Sequence, residues 1–363
     1  MTGTERHYFA RGNTARGEVV QYESALRDLS RIYVLQGPPG TAKPTLIRSL
    51  AAGIRNEGED VEWFHSPLHP DDVDIVILRN SGIAIVDGTA CPYSAQDTRT
   101  IAIDLTPAVD SRLLPANYEE TAEVLNKKLS DAYSSAYACF ADALRIHDEW
   151  EAPYIENLDF QKSDEVAREF SESWLASPME NKQAAVRHLF FGAATPLGAI
   201  DHIQNLTSGL NTRIFIKGRP GSGKSTLLKR LAAEAESKGY DLDVFHCGFD
   251  PNSLDMLIFP ELGLAVFDST APHEYFPDRT SDRILDMYER VIKPGVDERY
   301  AEQLADIKSR YAQKMKEATS YLGEARDVHF KIRELYRTAV DFSVVDRSLS
   351  GLRNEFVNKT PTA

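Results

Sequence analysis

The sequence predicts an α/β fold of two tandem units, each a small, mainly parallel sheet followed by a helical segment. Three observations lead there. The chain repeats itself at a fixed spacing, each repeat carries a glycine-rich loop between an apolar run and a helical pattern, and each closes on a long charged stretch of helical periodicity.

The repeat comes first because it organises the rest. RHYFARGNTARG at 6–17 matches RHLFFGAATPLG at 187–198, and GPPGTAKPT at 37–45 matches GRPGSGKST at 218–226, both at an offset of 181. Without a gap, the same offset pairs His65 with His246, Asp74 with Asp255, Asp87 with Asp268, Thr89 with Thr270 and Asp97 with Asp278. Over residues 6–97 the two copies share 28 of 92 positions, far above chance for average composition. After a one-residue shift, His147, Tyr154 and Asp159-Phe160 match His329, Tyr336 and Asp341-Phe342. The expected domains are therefore 1–178, with its helical segment at about 117–178, and 187–363, with its segment at about 296–355, joined through the polar ASPMENKQAA stretch at 177–186.

Each unit reads as strand, loop, helix, strand, loop, strand. In the second copy, RIFIK (213–217) leads into the glycine loop, and STLLKRLAAEAESKG (225–239) places Leu227, Leu228, Leu231 and Ala235 on one helical face. DLDVFHC (241–247) and LGLAVFD (262–268) are strand-like, and HLFF (188–191) is the candidate for one more strand. Beyond Asp268 the pattern reads as almost wholly helical, so the sheet is expected to be small.

GRPGSGKST satisfies G-x-x-x-x-G-K-[ST] between a strand and a helix, which defines a P-loop NTPase-like unit. Gly218, Gly221 and Gly223 permit backbone conformations closed to other residues, and with Ser222 and Thr226 they would wrap phosphate oxygens in N–H groups at a helix start, Pro220 lining the loop without an N–H of its own. Lys224 would reach the outer phosphates. Ser225 and the strand-end Asp268 would hold Mg²⁺, although an Asp in that place also starts turns. The FDST sequence lacks the Glu that motor-type ATPases place after this Asp. Asp250 in HCGFDP is a candidate general base, with a turn as the competing reading, and Arg279 and Arg283 are candidate phosphate contacts. A metal site at His246 and Cys247 with Asp250 or His273 is a weaker reading, because two-ligand pairs are missing. The Thr195, Pro196, Gly198 turn is expected near a pocket mouth or as a plain turn, and the repeated His/Tyr/Asp set as helix-packing residues.

The first loop keeps Gly37, Gly40, Lys43 and Thr45 but has Ala42 for Gly223 and Pro44 for Ser225. Ala42 adds a methyl group where positive φ is needed, and Pro44 removes a donor and the metal-ligating hydroxyl. His69, Ser66, Thr98 and Ala102 replace Asp250, Cys247, Arg279 and Arg283. This is the pattern of a site retired from catalysis.

Composition bounds the partners. A net charge of −14 and a pI near 5.2 argue against broad affinity for nucleic acid or anionic membrane. No signal-like N-terminus and no long apolar run are present, so a cytoplasmic protein is expected, and Cys91, Cys139 and Cys247 are too scattered for a disulfide framework or zinc ribbon.

HLFFGAATPLG, GRPGSGKSTLL, FHCGFDPNSLD and LAVFDSTAPH, with HYFARGNTARG, VDGTA and IHDEWEAPYIENLDF in the first copy, resemble an uncharacterised family of tandem P-loop ATPase-like proteins of spore-forming Gram-positive bacteria. The resemblance spans nearly the whole chain and implies nucleotide binding by duplicated P-loop domains, without a defined substrate. Members of that family keep an intact first loop; Ala42 and Pro44 depart from it. The function expected is a Mg²⁺-dependent ATPase or small-molecule phosphotransferase, with GTP as the alternative nucleotide and one competent site in the second half. The competing reading is a nucleotide-gated interaction protein whose halves form an internal pseudo-dimer.

Overall fold

The computed structural model describes residues 2–91, 97–179 and 182–359; Glu180 and Asn181 of the expected junction lie outside the described residues. The first half runs β1 (Glu5–Tyr8), β2 (Arg11–Thr14), β3 (Gly17–Val20), α1 (Tyr22–Ala25), β4 (Arg31–Gln36), α2 (Lys43–Asn56), β5 (Val61–His65), β6 (Val73–Leu78), β7 (Ile83–Asp87), β8 (Thr100–Asp104), α3 (Tyr118–Ile155) and α4 (Phe160–Trp174). The second repeats it as β9 (Val186–Leu189), β10 (Gly192–Thr195), β11 (Gly198–Asp201), α5 (Ile203–Leu206), β12 (Thr212–Lys217), α6 (Lys224–Ser237), β13 (Leu242–His246), β14 (Leu254–Phe259), β15 (Leu264–Asp268) and β16 (Arg283–Asp286). The short helices α7 (Met287–Val291) and α8 (Val296–Arg299) then lead to α9 (Ala301–Arg337) and α10 (Phe342–Lys359).

Each half has one six-stranded sheet, ordered β1-β5-β6-β7-β4-β8 and β9-β13-β14-β15-β12-β16, and a separate antiparallel hairpin, β2-β3 and β10-β11. The sheets are larger than the sequence suggests, and they are mixed. β6 and β14 run antiparallel to both neighbours, while the remaining pairings within the six-stranded sheets are parallel. HLFF contributes to β9 as expected. Besides the hairpin strands, two strands of each six-stranded sheet escape the sequence reading, in the second half β14, whose LDMLIF is a largely buried run without polar alternation, and β16, a four-residue edge strand in the stretch expected to be helical.

Strand side chains alternate between two apolar surroundings. Ile32, Val34, Ile75, Ile77 and Val86 face a core shared with Phe215, Phe245, Met256 and Phe267 of the other half, while Tyr33, Leu35, Val76, Leu78 and Ile85 face the helices. The two sheets thus pack face to face, with helices outside. Phe9 and Phe190, equivalent residues of the two copies, exchange backbone hydrogen bonds of 2.9 and 3.2 Å, which marks a local two-fold axis.

The helical segments cross that axis. α3 and α9 lie antiparallel, with Ala136 and Phe140 against Ala318 and Leu322, and Arg310 bonded to Glu149 at one end of the contact. Tyr154 at the end of α3 and Val166, Ala167 and Phe170 of α4 then pack into the second half's core with Ile214, Leu227, Leu231 and Val266. Reciprocally, Val345, Leu349 and Leu352 of α10 pack beside Ile47, Leu50 and Ile85 of the first half. Each sequence half therefore covers its partner's sheet. Phe170→Ala should cost about 3–5 kcal/mol, measured by urea unfolding, and hydrogen exchange should rise first in α6 and β13 of the opposite half rather than in α2.

Candidate functional site

The two glycine loops occupy equivalent places, each between a central strand and the helix that follows it. In the second, Gly221 and Gly223 take φ of 74° and 81°, and α6 begins directly at Lys224. A side chain at Gly218 would strike Ser222 Oγ at 2.5 Å, so the loop closes on itself there. The N–H groups of Gly223, Lys224 and Ser225 make no hydrogen bond among the described residues, as expected for the first turn of a helix. Pro220 and Ser222 shape the loop, whose Ser222 hydroxyl donates to Arg219 O at 2.8 Å, and Thr226 stands exposed on the first turn.

Lys224 Nζ donates to Arg219 O at 3.0 Å and lies 3.6 Å from Asp268 Oδ2 on the neighbouring parallel strand β15. Ser225 Oγ accepts the N–H of Leu254 at 3.0 Å, which ties the loop's helix to β14. Thr270 donates its hydroxyl to Asp268 Oδ1 at 2.7 Å. Lys224, Ser225 and Asp268 are thus brought together.

Asp255 joins them, a residue whose repetition in both copies is visible in sequence but whose place is not. The β14–β15 register pairs Met256 with Phe267, so Asp255 stands opposite Asp268, two like charges across adjacent strands. Burial, then the Asp268 charge, raise the Asp255 carboxyl to about 6. The first half contains the same pair, with Asp74 opposite Asp87 by register, but there Arg11 Nε binds Asp74 Oδ2 at 2.9 Å. Gly192 occupies the position equivalent to Arg11. The second half therefore lacks the guanidinium that neutralises the first, and an acidic pair short of positive charge beside a hydroxyl suits a divalent cation.

The first loop has the same backbone and different chemistry. Ala42 is held at φ 59°, a left-handed conformation costly for a residue with a Cβ, and Pro44 sits in the first turn of α2. Lys43 is 2% exposed and donates to Gly37 O at 2.9 Å and Pro38 O at 3.1 Å, with Asp87 3.6 Å away. Burial lowers its pKa, partly offset by Asp87. Its ammonium is absorbed by the loop.

Other residues singled out in the sequence are engaged elsewhere. Asp250 pairs with Arg16 of the first half at 3.2 Å and accepts from Ser253 Oγ at 3.3 Å within its own turn. Arg279 donates to the carbonyls of Thr207 and Leu210, and Arg283 to those of Thr280 and Asp282. His246 Nδ1 donates to Pro251 O at 2.7 Å, so its Nε2 accepts from His188 Nδ1 at 2.9 Å, while His273 bonds Asp201 at 2.7 Å. His246, Cys247 and His273 do not form a ligand set. Thr195 is a turn residue of the β10–β11 hairpin, its hydroxyl bonded to Gly198 O at 2.7 Å. In the helical segments, Tyr154 donates to Asp297 at 2.7 Å, Asp297 in turn holds Arg219 at 2.9 Å, and Asp159 caps α4 through Lys162 N at 3.1 Å.

No family model, curated protein or solved structure matches the chain. Among the described residues no helix is long and apolar enough to cross a membrane.

The raised Asp255 carboxyl carries a sign. With a folded pKa of about 6 against about 4 when unfolded, the folded protein binds more protons between those values, and stability falls as pH rises through that window. In metal-free protein, Asp255→Asn should melt like the wild type near pH 4 and at higher temperature than the wild type at pH 7; thermal melts across pH check this.

Proposed function

We propose that the chain binds one Mg²⁺–nucleoside triphosphate, ATP with GTP as the alternative, at Gly218–Thr226 and hydrolyses it, and that the Gly37–Thr45 loop is a retired copy. The observation that carries this reading is the contrast between equivalent lysines. Each lysine lies 3.6 Å from its strand-end Asp, but Lys224 donates to a single loop carbonyl, whereas Lys43 donates to two and sits beside a strained Ala42.

In this reading the N–H groups at the start of α6 and the loop glycines bind phosphate oxygens, assisted by the helix dipole, and Lys224 neutralises the outer phosphates. Ser225 and Asp268 would hold the magnesium, with Asp255 completing the negative charge. The bound cation would supply neutralisation of charge on the transferring phosphoryl group. Pro44 offers neither the hydroxyl nor the N–H that Ser225 contributes, and Arg11 occupies the cation's electrostatic role in the first half.

Titration calorimetry should give one nucleotide per chain. Ligand at about 100 times its Kd should stabilise the wild type by about 2.7 kcal/mol. Lys224→Ala should remove most of that stabilisation, and Lys43→Ala little of it. Two nucleotides per chain, or equal losses from the two variants, would refute the asymmetry.

A further inference from the structure

We infer that the second half's nucleotide site is completed by α3 of the first half, and that Glu151 is the carboxylate that takes the proton of the attacking water. This rests on the nucleotide reading above and names the group which the FDST strand end lacks.

The exchange of helical segments brings the C-terminal turns of α3 onto the second glycine loop. A Cβ placed on Gly221 would lie 2.6 Å from the Glu151 carbonyl oxygen and 3.1 Å from its Cα and Cβ, so the two backbones are in direct contact. Only glycine, at φ 74°, fits this approach. A second tie runs through Tyr154 and Asp297 to Arg219, at the other side of the loop. The half-buried Glu151 side chain lies one helical turn from His147, with its Oε1 3.7 Å from His147 Nδ1. His147 is packed among Trp150, Phe249 and Tyr311, and the charges of Lys224 and Asp250 reach it. Burial lowers its pKa, which favours the neutral ring beside Glu151.

The retired loop supplies the contrast. There a Cβ on Gly40 would lie 2.4 Å from the carbonyl oxygen of Arg333 on α9, the residue equivalent to Glu151. Arg333 is paired with Asp72 at 2.7 Å. An acidic residue thus lies against the loop that keeps Gly223 and Ser225, and a basic one against the loop where these are lost.

In the step assigned to Glu151, a water oxygen bonds to the γ-phosphorus while its proton passes to the carboxylate. The bond from that phosphorus to the β–γ bridging oxygen breaks, its electron pair leaving on the nucleoside diphosphate. The proton then returns to solvent or the released phosphate.

The test uses the full chain with Mg²⁺–ATP and Mg²⁺–GTP, following phosphate release, nucleotide affinity by calorimetry and melting temperature. Glu151→Gln should leave affinity and melting temperature near wild type and reduce release by about 100-fold or more, within the range of general-base losses. Glu151→Asp, which retracts the charge, should fall between, and Arg333→Gln should release phosphate as the wild type does. Release by Glu151→Gln at the wild-type rate, loss of affinity in step with release, or a wild type that binds nucleotide without releasing phosphate would overturn the assignment and leave nucleotide binding standing. A wild type that binds neither nucleotide would overturn both.

Discussion

Each sheet of this protein is apolar on both faces, and each sequence half carries too little cover for them. Residues such as Val34 and Leu35, or Ile77 and Leu78, are consecutive and buried on opposite sides. One face is closed by the sister sheet and the other by the half's own α2 or α6 together with helices contributed from across the axis. The burial of two apolar faces by reciprocal exchange is the constraint from which the architecture follows. The antiparallel α3–α9 pair carries the exchange, since only a long helix spans the distance from one half's strands to the other's loop.

The same constraint determines what surrounds the loops. Because α3 and α9 must pass over opposite halves, each glycine loop is capped by a helix whose sequence belongs to the other copy. The divergence of the copies can then be followed as charge. In the first half Arg11 pairs with Asp74, Lys43 is buried in its loop and Arg333 pairs with Asp72. In the second, Gly192, Glu151 and the Asp255–Asp268 pair stand in the corresponding places. Around the first loop the acidic positions are met by guanidinium groups, Arg11 from the same half and Arg333 from the other. In the second half Asp255 meets no such guanidinium among the described residues, and burial with a neighbour of like sign pushes its carboxyl up to about 6.

Much of this was legible in the sequence, and the failures have physical causes. The duplication, the strand–loop–helix at Gly218, the strained place of Ala42 and the position of Pro44 all follow from local rules of backbone and side chain. β14 was hidden because a fully buried strand shows no polar alternation, and β16 because four residues at a sheet edge carry little pattern. The assembly of Asp255 with Asp268 depends on strand register, although the identity of Asp74 and Asp255 at one offset was a readable signal. The contact of Glu151 with Gly221 depends on helix exchange, which no local pattern encodes. Asp250 reads as a possible base from spacing, yet its turn and Arg16 occupy it.

The contact between Phe9 and Phe190 places equivalent residues against each other, the signature of a symmetric pair, yet both belong to one chain. In a dimer of identical subunits, any substitution strikes both sites at once. A helix position could not be acidic over one loop and basic over the other, and a decayed loop would be decayed twice. Joining the copies covalently lifts that restriction: one loop can be lost while the helix beside it in sequence continues to serve its neighbour. The first half can thereby keep lending its helix whatever becomes of its own loop.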